Sequence, residues 1–217
     1  ETLGLNRDGN PAETILEKAS RKGRATGLVS DTRITHATPA AFAVHRAERN
    51  AENEIAEEII RSGADVLFSG GLRHFLPQEV ANKNSQAYRE LRELVPAHIE
   101  LESKRKDDRN VLDAARGQGY DLVFSRDEMQ KVKSSRVLGL ISSSEMPDGI
   151  QVTRTRKAKD RQVPTLREMT EKAVEMLSKN ENGFFLMVEA GLIDWAGHNS
   201  DAGRLLHELL VLDETLA

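Results

Sequence analysis

The sequence predicts an α/β fold of three layers, a mainly parallel sheet with helices on both faces. Three observations carry that expectation. Helical stretches alternate with short apolar runs, a glycine separates most helix–strand pairs, and the runs 25–29, 122–124, 137–141 and 184–188 are apolar almost throughout. Strands covered on both faces read as continuous apolar runs, whereas half-exposed strands alternate. Alternating helices and strands imply crossover connections and a parallel sheet. Ligands of such sheets bind beyond the carboxyl ends of the strands. The loops after Val29, Phe68 and Val188 are therefore where a site is expected.

Taken in order, Asn10 is a candidate cap for a first helix, with Pro11 in its first turn and Glu13 at its positive end. Ile15, Leu16 and Ala19 share one face of it, and Gly23 stops it before strand 25–29. Thr38 before Pro39 forms an N-cap and first-turn pair for a second helix that ends near Arg49. Ile55, Ile59 and Ile60 mark a third, closed by Gly63 ahead of strand 65–68. Residues 77–109 break the rhythm and read as a variable insertion. Tyr88, Leu91, Leu94 and Val95 give it a surface helix, and the charged run 104–109 gives it a solvated face. Val111, Leu112 and Ala115 then mark a helix, Gly119 a stop, and 122–124 and 137–141 two strands. Residues 142–163 read as a connecting loop. The stretch 165–168 has the pattern of a capping box, Leu166, Met169, Ala173 and Leu177 form one helix face, and Gly183 precedes the last strand. Residues 1–217 thus read as a single α/β domain segment.

Composition excludes several classes. The 217 residues contain no cysteine, which removes disulfides, thiolate zinc sites and cysteine nucleophiles together. Basic and acidic residues (31 against 35) are interleaved and aromatics are 4%, so neither a basic stripe nor a stacking platform for nucleic acid is present. The apolar run 184–188 is far short of the ~20 residues that cross a bilayer. No charged and then apolar leader opens the chain, so no signal peptide is read in it. The first residue is Glu1, and the last lies inside an apolar-periodic run, 205–216. Both ends suggest a segment of a larger protein.

The strongest constellation is Glu189 at a strand's carboxyl end, followed by Asp194 and His198. Positions four apart share a helix face, so this carboxylate and imidazole could grip one metal. Zinc suits a mixed nitrogen and oxygen pair, and Glu189 alone suits a harder ion such as magnesium. Equally open is the reading in which Asp194 caps a helix and His198 is an ordinary histidine. Capping accounts for Thr38 by itself, and His36 beside it is readable as a polar loop residue. Arg49 could hold an anion bidentately, or could simply face solvent. Gly70-Gly71 makes a tight turn but no phosphate loop, because no Gly-Lys-Ser/Thr follows. His74 reads as structural, His45 and His207 as helical, and His98 as part of the insertion.

Several strings together resemble the alkaline phosphatases. They are Thr35-His36-Ala37-Thr38-Pro39-Ala40, Val163-Pro164-Thr165-Leu166 with Met169-Thr170, and Gly183-Phe184-Phe185-Leu186-Met187-Val188-Glu189 with Ile193-Asp194 and His198. Gly70-Gly71 with His74-Phe75 and Gly119-Tyr120-Asp121-Leu122-Val123 fit as well, all in the family's order. The likeness fades in 77–103 and 142–160. It implies phosphomonoester hydrolysis through a phosphoserine, at a site with two zinc ions and one magnesium. Carried over position by position, it makes Thr38 and Glu189 magnesium ligands, Asp194 and His198 ligands of one zinc, and Arg49 the phosphate clamp. It puts His36 and Trp195 at variable positions near the metals, where they tune metal affinity and phosphate release. No Asp-Ser-Ala string occurs, so the family's serine nucleophile is expected outside this chain, as are the ligands of the other zinc.

Two expectations follow from the resemblance. The parent protein is a metal-dependent phosphatase acting on phosphate monoesters, with inorganic phosphate as product. The isolated chain is a catalytically incompetent α/β module with a partial metal site. The resemblance further implies a homodimer in the intact protein and a periplasmic or secreted location. A sugar-phosphate mutase or sulfatase of similar architecture is the more distant reading.

Overall fold

The computed structural model describes residues 1–217. Strands β1 (Ala25–Arg33), β2 (Val66–Gly70), β3 (Asp121–Val123), β4 (Val137–Leu140) and β5 (Phe184–Glu189) form one sheet. Their order is β3-β4-β2-β1-β5, and every neighbouring pair is parallel. The helices are α1 (Ile15–Arg21), α2 (Ala37–Ala41), α3 (Glu52–Ser62), α4 (Gln86–Leu94), α5 (Val111–Gly117), α6 (Arg126–Lys131), α7 (Gly149–Thr155), α8 (Leu166–Leu177), α9 (Leu192–His198) and α10 (Ala202–Leu216).

Alternation along the strands makes two cores. Leu28, Leu67 and Leu138 point to one face and join Leu16, Ile55, Ile59 and Leu112 from α1, α3 and α5. Val29, Val66, Phe68 and Val137 point to the other and join Met129, Met169, Ala173 and Val211 from α6, α8 and α10. Each fully buried large aliphatic side chain contributes about 1.5–3 kcal/mol. The three predicted layers therefore follow from strands whose residues are apolar on both sides. β5 departs from that pattern. It is an edge strand, half-buried over most of its length, with Val188 exposed.

Most local signals hold. The capping box at Thr165 and Glu168 forms and opens α8. Gly63 ends α3 in the left-handed conformation, φ 73°, which a residue without Cβ adopts at no steric cost.

Five expectations are corrected. The first helix begins at Ile15, because Thr14 and Glu17 make a capping box there, while Pro11 bridges to Leu5. α2 starts at Ala37 with His36 in the cap position, so Thr38 lies inside the first turn and caps nothing. Pro39 is still accommodated, since a first-turn residue needs no N–H partner. That helix ends at Ala41, leaving His45 in a loop, where Nδ1 meets the Gly4 carbonyl and Nε2 the Glu17 carboxylate. Residues 142–163 are not all loop. Asp148 accepts from the Gln151 N–H and caps α7, and the Gly149 N–H donates to buried Glu208 of α10. Finally, the run 104–109 is not a uniformly solvated face. The Arg105 side chain is 2% exposed, donating to Glu57, Asp107 and the carbonyls of Asn53 and His74. A guanidinium carries five donors, and this fixed set of acceptors satisfies it inside the protein.

Candidate functional site

β1 extends four residues past the predicted end at Val29, and that extension builds the site. In the β1–β5 register Ser30 lies opposite Glu189. The Ser30 hydroxyl donates to Glu189 Oε2 at 2.6 Å, and the Thr32 hydroxyl reaches the same oxygen at 3.1 Å. Both hydroxyl-bearing residues are fully buried. Ser69, at the end of β2, donates to the Thr32 carbonyl and holds the turn from below. Gly191 is required here by space. A Cβ on it would stand 2.9 Å from Glu189 Oε1 and 2.6 Å from Thr32 Cγ2.

Asp31 is buried next to this group. Its Oδ1 accepts from the backbone N–H groups of Gly191 (2.7 Å) and Leu192 (3.3 Å), which open α9. Burial, helped by the charges of Glu189 and Glu208, pushes its carboxyl up to about 7 against the pull of those two donors. Asp31 thus fixes the step from Glu189 to α9. On that helix Asp194 Oδ1 and His198 Nε2 stand 3.5 Å apart, one turn from each other, with side chains 69% and 79% exposed.

A second cluster faces the same edge. The His36 ring meets Trp195 edge-on at 5.7 Å between centroids, and the Arg33 guanidinium lies 5.5 Å over the indole. His36 Nε2 is 3.4 Å from Arg49 Nη2, whose guanidinium also pairs with Glu1. His36 Nδ1 is buried with no hydrogen-bond partner. Burial, with the Arg33 and Arg49 charges, keeps this imidazole below its usual range.

Of the predicted residues, His36, Arg49 and Trp195 are brought together, and Asp194 and His198 form a pair. Thr38 is exposed on α2, and its hydroxyl makes no hydrogen bond to Glu189. Five further residues come to the site from the structure: Ser30, Asp31, Thr32, Arg33 and Glu52. In the sequence Ser30, Asp31 and Thr32 follow the strand read over 25–29 and look like the start of a loop. Only the register with β5 reveals what they touch.

The residues fit oxygen- and nitrogen-loving cations in part. Glu189 is held in place by two hydroxyls, His36 leaves a buried ring nitrogen open, and Asp194 with His198 offers the mixed pair that zinc accepts. Asp194 and His198 converge with no third His, Asp or Glu. A closed zinc site takes four ligands.

Comparison with known proteins gives the family and the fold. The family model described as alkaline phosphatase matches residues 1–217. Alkaline phosphatase 3 of Bacillus subtilis (strain 168) is 35% identical over 213 residues, covering 95% of this chain and 38% of that protein. The crystal structure of Thermus thermophilus alkaline phosphatase superposes with a TM-score of 0.80 at 34% identity, covering 99% of this chain and 39% of that one. A TAB5 alkaline phosphatase mutant with Mg bound in its M3 site superposes at 0.74 and 26% identity, covering 99% and 52%. The chain therefore spans about two-fifths of the first two proteins and half of the third. Matched along its whole length by the family model, this chain belongs to the alkaline phosphatase family.

Proposed function

We propose that this chain supplies part of the active site of a metal-dependent phosphomonoester hydrolase that works through a phosphoserine. The observation that carries the reading is that Glu189 ends β5 at the carboxyl edge of one parallel sheet, with the Asp194–His198 pair on the helix that follows it and the His36–Arg49 contact after β1. Glu189 and Thr38 would hold magnesium, and Asp194 and His198 would hold one zinc. When bound, such ions supply Lewis-acid stabilisation of the attacking and leaving oxygens.

This chain's residues then have distinct tasks. Arg49 binds two non-bridging phosphate oxygens through its planar fork. To do so its guanidinium must exchange Glu1 for phosphate. Ser30 and Thr32 orient the Glu189 carboxylate, and Asp31 holds the start of α9. His36, held below its usual range by burial and two arginines, bounds the site and with Trp195 tunes metal affinity and phosphate release. Substrates are phosphate monoesters, and inorganic phosphate is the product. The full protein is a homodimer acting in the periplasm or outside the cell. No helix in the structure is long and apolar enough to cross a membrane.

A second reading concerns the chain by itself. Two exposed ligands do not close a zinc shell, so the isolated 217 residues form a partial site without turnover. One experiment addresses both. Inorganic phosphate is titrated with the purified chain in zinc and magnesium and followed by phosphorus NMR. Line broadening is expected only with metal present, reduced at least about tenfold in apparent affinity by Arg49→Ala, since a bidentate charged contact is lost. Hydrolysis of p-nitrophenyl phosphate by the chain is expected to be absent. Turnover that Arg49→Ala removes would overturn the second reading, and phosphate binding indifferent to both metal and Arg49 would overturn the first.

A further inference from the structure

We propose that Arg33, locked by Glu52, is a positioning residue for Trp195. It clamps the indole in one orientation against His36, beside the Asp194 ligand. The functional consequence rests on the phosphatase reading above, whereas the clamp itself does not.

The clamp begins at Glu52, the first residue of α3. Its carboxylate accepts from Arg33 Nε (2.8 Å) and Nη2 (3.0 Å) and from the Thr35 hydroxyl (2.6 Å). His74 Nε2 stands 3.3 Å from the same carboxylate. The side chains of Arg33 and Glu52 are 12% and 16% exposed. A bidentate contact fixes the plane of a guanidinium as well as its position. With its Nε–Nη2 edge held by Glu52 and Nη1 3.7 Å from Glu145, the guanidinium keeps its plane, and the indole lies against a face of it at 5.5 Å, within the cation–π range. His36 packs edge-on at 73° to the indole, and the His36 Nε2 atom leads on to Arg49. The contacts run unbroken from α3 through β1 to α9. An Arg33–Glu52 pair serving only to tie β1 to α3 would place no demand on the indole.

Trp195 is the sole tryptophan of the chain, so its fluorescence reports this contact alone. Emission maximum, anisotropy and acrylamide quenching are measured on the metal-free chain and its variants, with circular dichroism as the check on folding. Arg33→Met keeps the stem and removes the cation. Quenching is expected to rise about two- to fivefold with a red shift, the population change that loss of an exposed cation–π contact produces. Glu52→Gln weakens the fork and is expected to move the signals in the same direction. Arg33→Lys restores charge without the fork and is expected to recover less than half of the difference. Unchanged emission and quenching in folded Arg33→Met overturns the proposal. If Arg33→Met does not fold, Arg33→Lys decides, with raised quenching in support and unchanged quenching against. The same samples are then titrated with zinc chloride. A Trp195 signal that moves on substitution, without any response to excess zinc, leaves the clamp standing and removes zinc binding at the Asp194–His198 pair of this chain. Zinc binding with a Trp195 signal indifferent to Arg33 does the reverse.

Discussion

Zinc binding to the isolated chain is expected to be weak and to vanish from calorimetry in both His198→Ala and Asp194→Ala. The two side chains sit one turn apart on α9, and their donor atoms are 3.5 Å from each other. The helix has thus already brought both donors to one point, and no third His, Asp or Glu joins them. Removing either leaves a single exposed donor competing with water. The loss should exceed the roughly 10- to 100-fold cost of removing an outer-shell partner. Ser30→Ala acts at that outer level on the other ion. It deletes the hydroxyl 2.6 Å from Glu189 Oε2, and magnesium affinity is expected to fall about 10- to 100-fold with zinc affinity unchanged. Equal effects of all three variants on both ions would mean general unfolding.

Acid is expected to destabilise the metal-free chain in two successive windows set by His74 and Glu52. His74 is held down to about 4, chiefly by burial and then by the charges of Arg73, Arg33 and Lys104, against the pull of Glu52. Its hydrogen bonds suit the neutral ring. Nδ1–H donates to Asn53 Oδ1 at 2.9 Å, and Nε2 accepts from Arg73 Nε at 3.4 Å. The Asn53 amide is oriented by its own bond to the Lys104 carbonyl. Between the folded value and the ordinary 6.5, the unfolded chain binds a proton that the folded chain does not. Stability from this group is therefore complete above 6.5 and is lost as the pH falls toward about 4. The loss is on the order of 2–3 kcal/mol.

Glu52 is held down to about 2. Burial alone would raise it, and the bond from Arg33, the charge of His74 and the bond from Thr35 outweigh that. The His74 charge adds to this as that ring protonates, toward about 4. The Glu52 contribution is complete above 4.5 and is lost as the pH falls toward about 2. Urea midpoints measured from pH 7.5 to 3 should decline in both windows. His74→Gln should flatten the upper one and, by removing a charge that holds Glu52 down, shrink the lower as well, and an unaltered upper decline would refute the assignment.

Much of the fold was legible in the sequence, because buried parallel strands announce themselves as short apolar runs after a helix-ending glycine. Val66, Leu67 and Phe68 after Gly63 are the plainest case. Boundaries were less legible where a polar side chain makes the decision. Thr14, not Asn10, caps α1 because Glu17 can return the bond, and Asp148 starts a helix in what reads as loop. The candidate site divides in the same way. Glu189, Asp194 and His198 stand out as residue types at a strand's end. Ser30 and Thr32 become recognisable only through the pairing of strands 159 positions apart in sequence. Nothing in the sequence sets Arg33 apart, because the carboxylate that fixes its plane, Glu52, lies nineteen residues on.

A crystal structure of the chain grown with zinc and inorganic phosphate tests the central claim most directly. Anomalous scattering at the zinc edge locates the ion without reference to any assumed site. The expected result is a peak between Asp194 and His198, with phosphate on Arg49 in place of Glu1. Zinc at the His45–Glu17 pair instead, with the Asp194–His198 pair empty and Arg49 still on Glu1, would contradict it.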